Sequence, residues 1–393
     1  MQTRSERPEN GRNGLEGHDP RGLRDGVPGE RRGSVRTGDP RVHGFVSASS
    51  REDSDTGTVS GGRRRASGGR HTDGSDVGAA GSECGVDRPY FDDDVPASGY
   101  RWWYLDGLSD DGRAGFTVIA FVGSVFSPYY ARARRRGPAD PEQHCAINVA
   151  LYGPDRDHWA MTERGRRFVA RTPHRFTVGP SSLSFEDDSL IVQVDEITVP
   201  WLRRLRGEIR LRAPVRFDRV WSLDSKDRHH WQPYAPAAEV EVDFLQPELS
   251  WRGSGYLDGN WGDEPLEDGF SRWHWSRAVV DGGARLSYDA VRRDGTHLNL
   301  GVHYGDNGTI ERRAGADVVS LPTTGWRVER SVRSEKRASV KRTAEDTPFY
   351  ARTMVAGRLD DRTVPMMQES LDLDRFASRW VQTLLPFRMP RRT

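Results

Sequence analysis

The sequence has little cysteine and no long apolar run. Its two cysteines, Cys84 and Cys145, lack the spacing of a metal site, and Cys84 lies in a stretch without packing residues. We therefore expect neither a cysteine-bound metal nor a structural disulfide. No apolar run reaches the roughly 18 residues of a transmembrane helix, so none is predicted. The 59 basic and 58 acidic residues give a net charge of +1, which gives no indication of a nucleic-acid partner.

The first part of the chain also lacks the side chains that form a core. Residues 1–86 consist mainly of Gly, Arg, Ser and Asp, and all twelve tryptophans lie at or after Trp102. Such a segment cannot bury enough apolar surface to offset the entropy of ordering it. It has no apolar core of a secretory signal, and its acids nearly match its arginines, unlike a transit peptide. We predict a disordered tail over residues 1–86.

The rest of the chain is rich in β-branched and aromatic residues, as in GFTVIAFVGSVFS at 115–127. Turn signals such as Asp281-Gly282 and Asp294-Gly295 separate these runs, as in a β-sandwich or β-barrel. Since the length is large for one barrel, we predict an all-β fold with two tandem β-barrel-like domains. Pro, Asp and Lys interrupt the strand pattern near 221–236, which places the domains at 87–225 and 226–393.

Only the end of the chain has helical spacing, carried by Leu373, Phe376, Trp380 and Leu384. One interpretation is a short helix that packs against a barrel. The other is a surface helix that touches a membrane, helped by the arginines of RMPRR behind it. We favour packing, and the two interpretations are compatible.

Common catalytic and cofactor motifs are absent from the sequence. It has no HExxH, no GxSxG nucleophile elbow and no glycine-rich phosphate loop after a strand. His229 and His230 are adjacent, so in a strand they point to opposite faces and do not readily share one ion. We therefore predict no metal site and no nucleotide cofactor.

Acid and aromatic side chains are instead combined in the stretch 254–278. In a strand, Tyr256 and Asp258 lie two residues apart and share a face, as do His229 and Trp231 further upstream. Each pair places an aromatic ring beside a group that can handle a proton. This pattern favours acid–base chemistry in an aromatic cleft.

Two less specific interpretations remain open on the pattern alone. Aromatic residues in β-barrels usually form the core, and Asp258 can instead cap a turn. A glycosidase with two carboxylates, Asp258 with Asp263 or Glu264, is also conceivable. The acidic stretch GDEPLEDG at 262–269 is expected to be a solvated loop.

Several long blocks of the sequence resemble the carotenoid 1,2-hydratase family, also called hydroxyneurosporene synthase. The resemblance extends from Pro89 to Arg392 and is carried by the blocks at 100–130, 229–244, 251–278 and 369–392. It implies a tandem lipocalin-like β fold and a hydro-lyase that needs no cofactor. Such an enzyme adds water across the C1–C2 double bond of an acyclic carotenoid ψ-end group, as in neurosporene or lycopene.

The resemblance also implies four site residues. The HxW motif of the family matches His229 and Trp231, and its YxD motif matches Tyr256 and Asp258. As a mechanism, we expect Asp258 to protonate C2 and the two aromatic rings to stabilise the cation at C1. His229 then orients the attacking water and accepts its proton; alternatively, His229 is the acid and Asp258 orients it.

Two other functions fit an aromatic cavity. One is a non-enzymatic, lipocalin-like carrier of a carotenoid or lipid, and the other is a related cyclase for polyenes. Because the expected substrate is an insoluble polyene, we expect a cytoplasmic protein in peripheral contact with a membrane.

Overall fold

The computed structural model describes residues 89–313 and 315–393. The predicted tail at 1–86 and Cys84 lie outside the described residues. Cys145, by contrast, is described as a buried free thiol.

Within the described residues the chain is built mainly of strands. In chain order they are β1 (Tyr100–Ser109), β2 (Gly115–Val122), β3 (Ala146–Tyr152), β4 (Asp157–Met161), β5 (Glu163–Arg164), β6 (Val169–Thr172), β7 (Arg175–Val178), β8 (Ser181–Glu186), β9 (Ser189–Ile197), β10 (Arg204–Arg212), β11 (Trp221–Ser222), β12 (His229–Gln246), β13 (Glu248–Gly262), β14 (Phe270–Val280), β15 (Gly283–Arg292), β16 (His297–Gly305), β17 (Ile310–Arg312), β18 (Val318–Leu321), β19 (Arg330–Arg333), β20 (Ser339–Asp346), β21 (Tyr350–Leu359), β22 (Arg362–Asp372) and β23 (Arg391–Arg392).

The described strands form two large antiparallel sheets. The first has the order β4-β3-β2-β1-β13-β12-β10-β9-β8-β7-β6, with β11 paired to β12. The second has the order β17-β16-β15-β14-β22-β21-β20. Two small pairs, β18-β19 and the parallel β5-β23, complete the strand pairing. The all-β prediction is confirmed.

Short helices fill the connections and the end of the described chain. They are α1 (Pro128–Arg134), α2 (Leu266–Gly269), α3 (Leu373–Ala377) and α4 (Arg379–Arg388), with 3-10 turns at Pro141–His144 and Arg166–Phe168. No helix within 89–313 and 315–393 is long and apolar enough to span a bilayer.

The predicted C-terminal helix is present, but its buried face differs from the prediction. Ser378 is extended, with φ −67° and ψ 142°, and it separates α3 from α4. The interruption rotates the second segment, so Val381 and Leu385 are buried while Trp380 and Leu384 are half exposed. A continuous helical period could not reveal this break.

The first sheet curls around a core of its own. Trp103 of β1 and Phe176 of β7 contact each other with ring centroids 5.5 Å apart, although five strands separate β1 from β7 in the sheet. The opposite face of the first sheet packs against the second sheet. This inter-sheet core is aromatic and includes Trp102, Tyr104, Trp231, Tyr256, Trp273, Trp275 and Tyr288.

The chain passes from the first sheet to the second at residues 263–269. The domain division predicted at 225/226 falls earlier, just before β12, and β12 is itself a strand of the first sheet. Both motifs, HxW on β12 and YxD on β13, therefore belong to neighbouring strands of one sheet. Their shared face is covered by the other sheet.

Candidate active site

Strands β12 and β13 bring the two motifs together. Their antiparallel register pairs Trp231 with Asn260 and Pro233 with Asp258. Alternation along β13 then places Tyr256 and Asp258 towards the inter-sheet core, whereas Leu257 points into the core of the curled first sheet. The side chains of Trp231, Tyr256 and Asp258 meet for this reason.

The Asp258 carboxyl is held by neutral donors. Its Oδ2 accepts hydrogen bonds from Trp231 Nε1 at 2.8 Å and from the Tyr256 hydroxyl at 2.7 Å. Asn260 Nδ2 donates to Oδ1 at 3.2 Å. Within the described part of the chain, no arginine or lysine contacts this carboxyl.

Burial dominates the electrostatics of Asp258, which is 3% exposed. Removal from water raises the pKa of Asp258 to about 8, against the opposing hydrogen bonds from Trp231 and Tyr256. The nearby carboxylates Glu369 and Asp106 contribute to this raised pKa in the same direction as burial. The side chain is therefore predominantly a neutral acid at pH 7.

Aromatic rings surround a small cavity at Asp258. The cavity measures about 30 Å³ and is lined by Trp102, Tyr104, Asp258, Asn260, Trp273, Trp275, Tyr288 and Glu369. This is room for one or two water molecules. An acid in such a place is shielded from bulk water but can meet a single bound molecule.

His229 lies on the same strand as Trp231 but has other partners. Tyr100 OH is 2.8 Å from its Nδ1, and Glu264 Oε1 is 3.2 Å from its Nε2. Its register partner is Gly262, four residues along β13 from Asp258, which corresponds to about 13 Å of strand. Burial lowers the pKa of His229, although neighbouring carboxylates act in the opposite direction. The ring is therefore neutral at pH 7.

The acidic stretch at 262–269 is only in part the solvated loop that the sequence suggests, with Asp263 and Asp268 exposed. Leu266 is buried and begins the helical turn α2. Glu264 contacts His229, and Arg228 binds both Asp263 at 3.0 Å and Glu264 at 2.5 Å. These two carboxylates face Arg228 rather than Asp258, so the structure does not provide the glycosidase pair.

A second group of buried charges in the inter-sheet core was not found by sequence reasoning. Tyr104 is the register partner of Asp258, and its hydroxyl lies 2.7 Å from Glu369 Oε1. Arg352 Nε donates to the same oxygen at 2.8 Å. Asp106 pairs with the buried Arg277, whose Nε lies 2.6 Å from its Oδ1. An acid among buried neighbours in a strand, as in MMQESL, is the one available signal.

A larger cavity adjoins this group. It measures about 230 Å³, lies between the sheets and α4, and includes Phe121, Phe126, Trp159, Phe349, Arg352, Leu384 and Leu385 in its lining. Arg352 lines this cavity, whereas its partner Glu369 lines the small one. The ion pair between them therefore separates the two spaces.

Comparison with known proteins identifies the family. The family model described as Carotenoid hydratase CrtC matches residues 118–393. The chain belongs to this family. The acyclic carotenoid 1,2-hydratase of Thiocapsa roseopersicina is 48% identical over 95% of this chain and 93% of that protein. The enzyme of the same name from Rubrivivax gelatinosus is 44% identical over 94% of this chain and 93% of that protein.

A shorter relative gives the same family. The acyclic carotenoid 1,2-hydratase of Cereibacter sphaeroides is 38% identical over 70% of this chain and 98% of that protein. The resemblance inferred from the sequence blocks around the HxW and YxD motifs is thus confirmed. The catalytic roles of His229, Trp231, Tyr256 and Asp258 in this chain stay predictions.

Proposed function

We propose that the protein is a hydro-lyase that adds water across the C1–C2 double bond of an acyclic carotenoid ψ-end group, such as that of neurosporene or lycopene. The observation that carries this proposal is a neutral carboxylic acid, Asp258, in an aromatic inter-sheet cavity. The names of its relatives support the substrate class. Asp258 supplies the acid and the aromatic rings stabilise the cation, so the proposed reaction includes no cofactor.

Asp258 is the proposed acid for the first step. Its Oδ2 already accepts two hydrogen bonds, so the proton of the neutral carboxyl belongs on Oδ1. The π electrons of the alkene take this proton at C2, which leaves the positive charge on tertiary C1. Trp231 and Tyr256 then stabilise the new carboxylate through their hydrogen bonds. His229 is less suited to be the acid because burial lowers its pKa.

The cation needs electron-rich faces around it. Trp273, Trp275 and Tyr288 line the cavity, and the negative faces of such rings attract a cation. Trp231 and Tyr256 were predicted for this role, but their polar atoms donate to Asp258. We propose that these two mainly orient the acid, while the cavity rings stabilise the cation.

The substrate needs more room than the small cavity offers. We propose that the polyene end enters through the 230 Å³ cavity beside α4 and passes the Arg352–Glu369 pair to reach Asp258. Movement of aromatic side chains between the two cavities is required for this passage.

We also propose that α4 docks the protein on the cytoplasmic face of a membrane. Phe387 is 80% exposed, and Leu384 and Trp380 are half exposed beside Trp326, whose ring stacks on Trp380. Leu384 and Trp326 also line the larger cavity, so this apolar surface surrounds its entrance. Arginines at the end of the chain suit anionic headgroups.

Liposome flotation tests the docking. A variant with Leu384→Ser and Phe387→Ser is expected to lose most binding to vesicles that contain anionic lipid. Leu245→Ser is the control, because Leu245 is 71% exposed on the β12–β13 hairpin and lines neither cavity. Undiminished binding of the α4 variant would contradict the docking proposal.

The function itself is tested by incubating the purified protein with lycopene in detergent and ¹⁸O-labelled water. A product with the label in a hydroxyl at C1 is expected. Bound but unchanged pigment would instead identify a carrier, and a ring-closed product without the label would identify a cyclase.

A further inference from the structure

We propose that Glu369 is a further catalytic residue, the base that removes the proton from the water attacking C1. This inference rests on the proposed hydratase function. Glu369 belongs to β22 of the second sheet, whereas Asp258 belongs to β13 of the first, and both line the small cavity. Two carboxyl groups therefore face the same space from opposite sheets.

Tyr104 connects the two groups. It is the register partner of Asp258 on β1, so both side chains point to the same face of the first sheet. Its hydroxyl reaches Glu369 Oε1 at 2.7 Å across the gap between the sheets. The Tyr104 ring therefore reaches from the strand position beside Asp258 to the carboxyl group of Glu369.

The contacts of Glu369 leave one oxygen for water. Oε1 accepts from Tyr104 and from Arg352 Nε at 2.8 Å. No side chain within the described residues hydrogen-bonds the other oxygen, Oε2. Arg352 is fully buried, and its guanidinium forms an ion pair with Glu369 at 2.8 Å.

The two carboxyls thus have opposite surroundings. Asp258 has neutral donors and no guanidinium partner, whereas Glu369 has a guanidinium partner. Two carboxyls in one site, one held by neutral donors and the other by a cation, are an arrangement that suits an acid and a base.

His229 fits the role of base less well. Both of its ring nitrogens lie within hydrogen-bond distance of a side chain, Tyr100 and Glu264. It does not line the small cavity, and about 13 Å of strand separates its row from that of Asp258. Its contacts indicate a structural role at the edge of the site.

The proposed reaction moves one proton from Asp258 to the substrate and one from water to Glu369. Asp258 transfers its proton to C2, and the electron pair of the double bond forms the new C–H bond. A lone pair of water then forms the bond to C1, and a water proton passes to Glu369. The product carries a hydroxyl at C1 and an added hydrogen at C2. A proton returns from Glu369 to Asp258 through water in the cavity, which restores both groups.

Separate readouts for the two steps test the assignment. The experiment compares the wild type, Glu369→Gln and Asp258→Asn with lycopene in D₂O. It measures the hydrated product and the deuterium in recovered, unhydrated lycopene. Deuterium enters this alkene when Asp258 deuterates C2 and its carboxylate then takes back the original C2 proton, so that the double bond re-forms before water adds.

Glu369→Gln is expected to hydrate lycopene at least about 10²-fold more slowly than the wild type. It still deuterates the recovered alkene, whereas Asp258→Asn does neither. Glu196→Gln is the matched control, since Glu196 forms another buried ion pair, with Arg164 at 2.8 Å, away from both cavities. This control is expected to hydrate at close to the wild-type rate.

Three outcomes would overturn the assignment. The first is undiminished hydration by Glu369→Gln, and the second is loss of both hydration and deuteration in a folded Glu369→Gln. The third is a His229→Gln variant that deuterates lycopene but does not hydrate it, while Glu369→Gln still hydrates. If Glu369→Gln does not fold, Glu369→Asp takes its place in the experiment. The shorter side chain keeps a carboxyl group beside Arg352 but moves its oxygens away from the small cavity. The same split between the readouts is then expected, and its absence overturns the assignment. Failure of the wild type to hydrate would instead reject the proposed function.

Discussion

The inter-sheet core contains two buried acidic regions that differ in one respect. Asp258 accepts hydrogen bonds from Trp231, Tyr256 and Asn260, all of them neutral. Asp106, which is equally buried, binds the guanidinium of Arg277. The two carboxyls are therefore distinguished by their partners, neutral donors or a guanidinium, rather than by burial.

The difference in partners indicates a different function for each region. A carboxyl without a counterion keeps its proton and can give it to an apolar substrate. The ion pair of Asp106 with Arg277, in contrast, joins the first sheet to the second. Substitution of Asp258 is therefore expected to affect catalysis, whereas substitution of Asp106 is expected to affect stability.

The largest expected effect is the loss of catalysis when the unpaired acid is removed. Asp258→Asn keeps the shape and the acceptor for Trp231 and Tyr256 but has no proton to donate. We expect hydration of lycopene to fall on the order of 10⁴-fold while the fold is retained. Product formation measures the hydration rate, and near-UV circular dichroism shows whether the fold is retained. A near-wild-type rate would show that another group is the acid.

The paired region should respond in stability instead. Asp106→Asn leaves Arg277 buried without its counterion, which is expected to destabilise the fold by about 3–5 kcal/mol. Urea unfolding measures this change against Asp258→Asn, which should not destabilise the protein. Similar losses of stability in both variants at pH 7 would contradict the difference between the regions.

The pH dependence of stability sharpens the contrast. Folded Asp258 keeps its proton up to about pH 8, whereas the ordinary pKa of an aspartate is 3.8. Between these values the folded state binds more protons, so wild-type stability falls as the pH rises. As the pH rises through this range, the free energy of unfolding of Asp258→Asn should therefore increase relative to that of the wild type by roughly 1.4 kcal/mol per pH unit. Parallel stability curves from pH 4 to 8 would contradict the raised pKa.

A smaller effect is expected at the hydrogen-bond donor. The hydrogen bond from Trp231 Nε1 lowers the pKa of Asp258. Trp231→Phe removes this donor but keeps an aromatic ring, so the pKa of Asp258 should rise. The alkaline limb of the hydration rate should shift to higher pH, by about one unit. Trp231→Ala should lose more activity, because it also leaves a cavity. An unmoved limb in Trp231→Phe would show that this hydrogen bond does not tune the acid.

The sequence predicts much of this arrangement because it is local. The period of two along β12 and β13 is sufficient to place Trp231 with His229 and Tyr256 with Asp258. It cannot show that Asp258 meets Trp231 while His229 meets Tyr100, because that depends on the register between strands.

The missed residues depend on contacts that are distant in the chain. Glu369 meets Tyr104 across 265 positions, and Arg277 meets Asp106 across 171. Pairing of this kind follows from how the two sheets pack, for which no local period exists. The break at Ser378 was likewise hidden, because apolar spacing continues through it.

The most direct test of the central claim is the protonation state of Asp258 itself. Infrared difference spectra between the wild type and Asp258→Asn, with ¹³C-labelled aspartate, isolate this carboxyl. We predict a neutral carboxylic acid at pH 7 that loses its proton at about pH 8. An ionised carboxylate at pH 7, with titration in the ordinary range of an aspartate, would contradict the role of Asp258 as the acid.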